Sequence, residues 1–410
     1  MMETMELKTL ALRLDGLVIF RGILHVTVVK NFRAVLAERV ALEQSEQPAA
    51  FVAATAAFEA ALLETGQDWT AALLEAILQD ENLCIRKAAT GGAGETAERC
   101  MAQELAFLQQ LGQVELSKLL AGLPPQLAAA CSFLPDWEIA ANADYAADYA
   151  LRCAAVGSRG YGMFARAHVF TIEDGALIPV RYPDPQRLSE LPGYEGEREK
   201  IIANTKALLA GKPANNVLLY GDAGTGKSSA VKAIANEFAP DGLRLVEVKK
   251  NQLYQIPALM DSLAQNPLKF ILFIDDLSFT ANDDNFAALK AILEGSVGGR
   301  SHNVVVYATS NRRHLIKETL SDRAGDDIHE GDTRQELMSL AARFGLTVTF
   351  QRPDKDRYEA ILLDLARQYK VQIASDQLYI KGEAFALRAG GRSPRVAKQF
   401  VELLAAGVRL

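Results

Sequence analysis

One segment of the chain combines glycines, a lysine and a hydroxyl at a spacing suited to binding phosphate. It reads Gly221-Asp222-Ala223-Gly224-Thr225-Gly226-Lys227-Ser228 and fits the pattern G-x-x-x-x-G-K-[ST]. Glycines let successive backbone N–H groups converge on phosphate oxygens, Lys227 can reach the β- and γ-phosphates, and Ser228 can ligate Mg²⁺. A tight turn alone needs no Lys-Ser after its last glycine. The predicted nucleotide contacts here are Asp222, Ala223, Gly224, Thr225, Gly226, Lys227, Ser228 and Ser229.

Polar side chains follow two further apolar runs. Asp275-Asp276 come directly after 270–274, which has the character of a buried parallel strand, and Asn311 follows the run 304–308. Neighbouring residues of a strand point in opposite directions, so one acid can hold the Mg²⁺ shell while the other faces an attacking water. The amide can orient that water or contact the γ-phosphate. Each feature alone also occurs in solvated turns, but their order along the chain favours one shared site.

The elements around these motifs alternate in type. Between residues 191 and 352, helix-length amphipathic stretches separate apolar β-rich runs at 217–220, 243–248, 270–274, 304–307 and 346–350. This alternation of helices and strands predicts a doubly wound α/β domain around a parallel five-stranded sheet. A helical period returns after it, which predicts a small α-helical appendage at 353–410.

The part of the chain before residue 191 has a different character. Residues 1–165 are rich in Ala, Leu and Glu or Gln with helical apolar spacing, which predicts a mostly α-helical N-terminal domain. In 166–190, alternating segments flank Asp174-Gly175 and predict a β-hairpin, followed by a proline-rich linker. Pro179 predicts that its strand lies at a sheet edge.

Composition and charge exclude several classes of protein. Hydrophobic residues make up 49% and charged residues 23% of the 410 residues, so disordered, collagen-like and coiled-coil chains are excluded. The net charge of −7 is too mild to attract nucleic acid or an anionic membrane without a local patch. The four cysteines and five histidines lack the spacing of a zinc or redox motif. No apolar run has the length of a membrane span or a signal peptide, so we expect a cytoplasmic protein.

Taken together, these runs resemble the AAA+ ATPases, and more closely a bacterial family of ATP-binding AAA+ proteins known only as a domain of unknown function. The resemblance covers about residues 165–410. It rests on the phosphate loop and on the runs LPGYE (191–195), NNVLLYG (215–221), SSAVKA (228–233), DDLSF (275–279), LKAILEG (289–295) and ATSNRRHL (308–315). It implies a P-loop AAA+ core at 191–352 and a helical lid at 353–410.

The resemblance also implies roles for individual residues. It places Gly193 and Tyr194 beside the adenine of ATP, makes Asp275 the Walker B ligand of Mg²⁺, and makes Asn311 sensor 1. Asp276 then falls at the position of the general base.

Two arginines receive roles in the same way. The run GRSPRVA (391–397) resembles the sensor 2 helix of branch-migration motors, which directs Arg395 at the γ-phosphate. The run ARFG (342–345) resembles the segment whose arginine finger reaches a neighbouring subunit's ATP, which selects Arg343. Arg323 and Arg334 are alternatives for the finger, and an ordinary ion pair at a helix end is the alternative for Arg343.

The chain departs from the AAA+ pattern in two places. Most AAA+ enzymes have Glu where this chain has Asp276, so the implied base is one methylene shorter and fast hydrolysis is in question. Glu294 is the alternative base, although its place in a helix-end Leu-Glu-Gly favours a capping or interface role. The run KKNQLY (249–254) replaces an aromatic–aliphatic–Gly loop, which disfavours a peptide-threading unfoldase.

The sequence therefore predicts an Mg²⁺-dependent AAA+ ATPase with ATP or ADP as ligand. We expect a homo-oligomer with ATP sites shared between subunits, and an N-terminal helical domain that contacts an unknown protein. Two alternatives remain: a nucleotide-gated scaffold with negligible hydrolysis, and a DNA-remodelling motor. The basic doublets Arg312-Arg313 and Lys249-Lys250 are too short to favour the motor.

Overall fold

A computed structural model of the chain describes residues 2–140, 143–277, 289–290, 292–293, 302–311 and 342–408. The chain divides into two compact units, Met1–Ala165 and Arg166–Leu410. Each unit is described by itself below.

The first unit is helical, which confirms the predicted N-terminal helical region. Its helices are Met2–Asp15 (α1), Thr27–Ser45 (α2), Ala49–Thr65 (α3), Trp69–Gln79 (α4), Leu83–Ala88 (α5), Glu95–Leu111 (α6), Leu116–Leu120 (α7), Pro125–Cys131 (α8), Tyr145–Ala154 (α9), Val156–Arg159 (α10) and Met163–Arg166 (α11), with a 3-10 helix at Arg21–His25. Asp68 and Asn82 begin α4 and α5 as N-caps, because their side chains accept from backbone N–H groups of the first turn.

Aromatic side chains fill the centre of this unit. Phe32 stacks on Trp69 with ring centroids 4.4 Å apart, and Phe58 meets Trp137 edge-on at 4.9 Å. Both indole N–H groups donate to backbone carbonyls, so these large rings are buried without an unpaired donor.

The second unit contains a sheet and six further helices among its described residues. The strands are Val169–Glu173 (β1), Ala176–Pro179 (β2), Val217–Gly221 (β3), Leu243–Glu247 (β4), Lys269–Ile274 (β5), Val304–Ser310 (β6) and Leu346–Phe350 (β7). The helices are Glu195–Leu209 (α12), Lys227–Glu237 (α13), Ile256–Leu263 (α14), Lys355–Gln368 (α15), Ser375–Arg388 (α16) and Pro394–Ala405 (α17), with 3-10 helices at Leu188–Glu190 and Lys250–Gln255.

The sheet order is β2-β1-β4-β5-β6-β3-β7, and every pair except β1/β2 is parallel. The predicted doubly wound α/β class and its five core strands are confirmed, but the strand count differs from the prediction, since the described residues form a sheet of seven strands. The predicted hairpin joins the sheet because Val169 of β1 pairs with Leu245 of β4. Buried Val169, Phe170 and Ile172 cover an edge that β4 would otherwise leave open. Pro179 lies on the edge strand β2, as predicted.

Helices α15, α16 and α17, called the lid from here on, share one apolar core with the sheet. Ile361 and Phe400 of the lid belong to the same buried cluster as Val217 and Phe273 of the strands. This common core holds α17 beside the carboxyl edge of the sheet, where Asp222, Asp275 and Asn311 follow β3, β5 and β6.

Within the described part of the chain, no one helix combines the length and the apolar character needed to cross a membrane, and α3 with α4 does so only as a bent pair, judged by length and composition.

Candidate functional site

The phosphate loop connects β3 to α13 and is pressed against the end of β7. Gly221 has a φ of 139°, and an added Cβ would overlap the backbone carbonyl of Phe350. The next residue, Asp222, donates its N–H to that same carbonyl at 3.1 Å. Gly226, with a φ of 91°, is the last residue before α13. Glycine is therefore needed at Gly221 for both conformation and space.

Gly221→Ala is expected to destabilise the second unit strongly, since the methyl group meets both a clash and a disfavoured φ. Gly226→Ala is the matched control, because among the described residues nothing lies within 4 Å of its Cβ position. We expect the control to cost about 1 kcal/mol of unfolding free energy and Gly221→Ala at least about 2 kcal/mol more. Urea unfolding measures both, and equal losses would show that the contact with Phe350 is not tight.

Lys227 begins α13 and is 5% exposed. Its Nζ donates to the carbonyls of Gly221 and Asp222 at 2.9 and 2.8 Å and to Asn311 Oδ1 at 3.0 Å. Burial lowers the pKa of Lys227, and the carboxylates of Asp222, Asp275 and Asp276 oppose that shift. The ammonium group is thus held beside the loop and linked to the end of β6.

Ser228 and Asp275 provide oxygen donors suited to Mg²⁺. Ser228 Oγ donates to Asp275 Oδ1 at 2.6 Å, which places a hydroxyl and a carboxylate side by side at the start of α13. Mg²⁺ is commonly held by one or two carboxylates together with substrate phosphates and water, rather than by a cage of side chains. In the described residues no cluster of three or more His, Cys, Asp or Glu could hold a metal by itself. These donors therefore fit Mg²⁺ that arrives with a nucleotide.

Asp276 lies in a left-handed turn beyond β5, with a φ of 53°. Its Oδ1 accepts a hydrogen bond from Asn311 Nδ2 at 2.8 Å. Because Asn311 also accepts from Lys227, one amide connects the loop lysine to the second acid. The structure brings together Lys227, Ser228, Asp275, Asp276 and Asn311, which the sequence analysis assigned to one site.

The lid contributes a cation to the same place. The N–H of Arg395 donates to the carbonyl of Gly224 at 3.1 Å, so α17 begins against the phosphate loop. Ser393 caps this helix by accepting from the N–H of Val396 at 3.2 Å. Arg395 and Lys398, one turn apart on α17, both line the cleft.

These residues line a cleft of about 910 Å³. Its phosphate end includes Ala223, Gly224, Thr225, Gly226, Lys227, Ser228 and Ser229. The lining also includes Ser189, Glu190, Leu191, Pro192, Leu365, Gln368 and Tyr369. A mixed apolar and polar wall of this kind suits a flat base with polar edges.

Gly193 and Tyr194 do not line this cleft, in contrast to their expected place beside the adenine. Tyr194 is 1% exposed, stacks on Phe350, and donates its hydroxyl to the carbonyl of Gln351 at 2.6 Å. Leu191 and Pro192, just before them, form the wall instead. Asp222 also lies outside the lining, and its carboxylate accepts from the N–H of Arg352 at 2.9 Å.

Of the remaining predicted residues, only Arg343 lies within the described part of the chain. Arg343 is half-buried just before β7 and is not among the lining residues. Glu294, Arg323 and Arg334 lie outside the described residues.

Sequence reasoning missed several lining residues, among them Thr309, Tyr369 and Lys398. Thr309 belongs to the same sequence run as Asn311, so its position at the end of a predicted strand could have indicated that it lies at the site. Nothing in the local sequence singles out Tyr369 or Lys398, because packing of the lid places them.

Parts of the chain are similar to a known family and to known proteins. The profile of the family described as "Protein of unknown function (DUF815)" matches residues 164–408. The Holliday junction branch migration complex subunit RuvB of Bdellovibrio bacteriovorus is 27% identical over 221 residues, which cover 53% of this chain and 62% of that relative. The Replication factor C large subunit of Staphylothermus marinus is 30% identical over 121 residues, covering 27% and 28%.

The solved structure of the Thermotoga maritima RuvB Holliday junction branch migration motor shares 20% identity, covers 55% of this chain and 67% of that chain, and has a TM-score of 0.37. Both curated relatives are matched over less than two thirds of their own length. The resemblance to AAA+ P-loop ATPases is confirmed at the family level.

Proposed function

This chain belongs to the family described as "Protein of unknown function (DUF815)", and we propose that it binds ATP together with Mg²⁺ in the cleft and hydrolyses it. One observation carries the proposal: Lys227, the Ser228–Asp275 pair and the Asn311–Asp276 pair meet at one edge of the sheet, and Arg395 faces them from the lid. Cations, oxygen ligands for Mg²⁺ and a free carboxylate oxygen are the groups that phosphoryl transfer requires.

The chain's own groups have distinct tasks in this proposal. Lys227 exchanges its carbonyl acceptors for oxygens of the β- and γ-phosphates, and Arg395 approaches the γ-phosphate from the opposite wall. Asp275 and Ser228 hold Mg²⁺, which neutralises charge on the β- and γ-phosphate oxygens when bound.

Asp276 and Asn311 act on the water. Asn311 fixes Asp276 Oδ1, and we assign to Asp276 Oδ2 the task of accepting a proton from the attacking water. The water oxygen forms a bond to the γ-phosphorus, the bond to the β–γ bridging oxygen breaks, and ADP and inorganic phosphate leave.

A nucleotide-gated scaffold with negligible hydrolysis is the second candidate. The observation that favours it is the short acid at Asp276, whose one oxygen is already held by Asn311. In this case ATP binding changes the conformation of the lid, and the nucleotide is not hydrolysed.

A DNA-remodelling motor is the third candidate and follows from the names of the relatives. Residues 166–410 contain 32 Lys and Arg against 31 Asp and Glu, so DNA binding there would need a local patch. Residues 1–165 contain 12 Lys and Arg against 20 Asp and Glu. This acidic balance disfavours DNA and supports a protein partner for the N-terminal unit.

Phosphate release by the purified full chain separates the three candidates. It is measured at low salt with and without Mg²⁺, and with single- or double-stranded DNA. Mg²⁺-dependent release that DNA leaves unchanged supports an ATPase acting on a protein. Stimulation by DNA supports the motor, and tight ATP binding without release supports the scaffold. Absence of ATP binding would refute the proposal.

We further propose that the chain forms a homo-oligomer in which Arg343 completes the ATP site of a neighbouring subunit. An arginine supplied in trans raises hydrolysis rates by about 10³–10⁵ in other NTPases. Arg343→Ala should therefore bind ATP normally but hydrolyse it slowly. Mixing it with Lys227→Ala protein should restore part of the rate, since a mixed interface pairs an intact cleft with an intact arginine.

Arg323→Ala and Arg334→Ala are the matched controls for this experiment and should keep the wild-type rate. If one of them loses activity and Arg343→Ala does not, the finger is assigned to the wrong residue. A single-subunit mass by light scattering with saturating ATP, together with a wild-type rate for Arg343→Ala, would contradict the shared site.

A further inference from the structure

Thr309, near the end of β6, joins the two acids that follow β5. It is 2% exposed. Its Oγ1 donates to Asp275 Oδ1 at 2.5 Å and accepts from the N–H of Asp276 at 2.9 Å. One buried hydroxyl therefore uses its single proton on the first acid and a lone pair on the backbone of the second.

The hydrogen bonds to Asp275 converge on one oxygen. Oδ1 accepts from Ser228 Oγ at 2.6 Å, from Thr309 Oγ1 and from the N–H of Asp276 at 3.1 Å. Within the described residues all of these bonds end on Oδ1, so Oδ2 is left for a ligand from the cleft. The carboxylate is thus oriented by its neighbours before a metal ion arrives.

Thr309 also fixes the backbone of the turn. Its carbonyl accepts from the N–H of Leu277 at 2.7 Å. The turn is therefore tied to β6 on both sides of Asp276, which keeps its φ at 53°. Asp and Asn tolerate this left-handed conformation better than most residues do, so a short acid suits this turn.

We propose that Thr309 is a positioning residue: it sets the orientation in which Asp275 receives Mg²⁺ and holds Asp276 at its place beside Asn311. This inference rests on the proposed function of the cleft. If the hydroxyl only stabilised the fold, its loss would lower stability without altering the effect of Mg²⁺ on nucleotide binding.

Calorimetric titration of ATP into the full chain, in EDTA and in excess Mg²⁺, tests the inference. The variants are Thr309→Val, which removes the hydroxyl at nearly constant shape, and Thr309→Ser, which keeps it. Thr205→Val is the matched control, because Thr205 is a buried threonine that does not line the cleft, and its Oγ1 is hydrogen-bonded to the carbonyl of Ile201 and to the hydroxyl of Tyr307.

We expect Thr309→Val to bind ATP in EDTA like the wild type. The factor by which Mg²⁺ raises the ATP affinity should be about tenfold smaller in this variant than in the wild type, because a hydrogen bond to a charged group is removed. Thr309→Ser should keep most of that gain, and Thr205→Val should keep all of it despite a lower urea midpoint. If Thr309→Val does not unfold cooperatively in urea, Thr309→Ala is titrated instead with the same criterion.

A full Mg²⁺ gain in a folded Thr309→Val or Thr309→Ala variant would overturn the inference and leave the proposed function intact. A wild-type chain whose ATP affinity does not respond to Mg²⁺ would overturn both.

Discussion

Replacing Lys227 by alanine is expected to raise the dissociation constant for ATP by about 30-fold or more. Removing one partner of a desolvated charge pair costs about 2–5 kcal/mol, and about 1.4 kcal/mol is a factor of ten in affinity. Lys227 is buried, and its Nζ donates three hydrogen bonds in and beside the loop. Alanine therefore removes the ammonium group from the position where the phosphates would bind. Calorimetry with Mg²⁺ in excess measures the change.

Lys232→Ala is the matched control for this prediction. Lys232 lies on the same helix, is half-buried, and does not line the cleft, so its loss tests the effect of removing a charge from α13. Its affinity for ATP should equal that of the wild type. A Lys227→Ala affinity within about threefold of wild type, less than ~1 kcal/mol, would show that Lys227 does not contact the phosphates.

Asp276→Asn is expected to bind ATP and Mg²⁺ like the wild type while its turnover falls by about 10²–10⁴, the range supplied by a positioned general base. Asn keeps the size of Asp and tolerates a φ of 53°, so the turn should persist. Only the proton acceptor is lost. Phosphate release at saturating ATP gives the rate, and calorimetry shows that binding is unchanged.

Two further variants test the roles assigned to the two acids. Asp276→Glu should also be slow, because the longer acid fits the left-handed turn poorly, although it restores the residue usual in AAA+ enzymes. Asp275→Asn should instead weaken Mg²⁺-dependent binding. A wild-type rate for Asp276→Asn would remove it as the base and make Glu294 the next residue to test.

The sequence predicted the parts of the site that depend on local pattern. The loop Gly221–Ser228 carries its chemistry in eight consecutive residues, and the apolar run before Asp275 identifies a buried strand without knowledge of its neighbours. The positions of Lys227, Asp275, Asp276 and Asn311 at one sheet edge follow from the shared direction of parallel strands.

The features that the sequence did not predict depend on contacts between distant residues. The pairing of β1 with β4 joins residues more than seventy positions apart, which no local pattern encodes. Thr309 contacts Asp275 from the neighbouring strand β6, and its hydroxyl alone resembles that of any strand-end threonine. Pro192 lines the cleft, whereas Tyr194, two residues later, is buried in the core because its ring stacks on Phe350.

The central claim is that this cleft converts bound ATP to ADP. The most direct test is a single-turnover experiment, in which trace ATP is mixed with an excess of the full chain and Mg²⁺, and the bound nucleotide is analysed over time. This measurement detects even slow hydrolysis, since every ATP molecule starts bound. We expect the wild-type chain to convert its ATP to ADP and phosphate, and Asp276→Asn to retain it intact. ATP that stays intact on the wild-type chain for hours would contradict the claim, whereas equal conversion by both proteins would contradict only the role of Asp276 as the base.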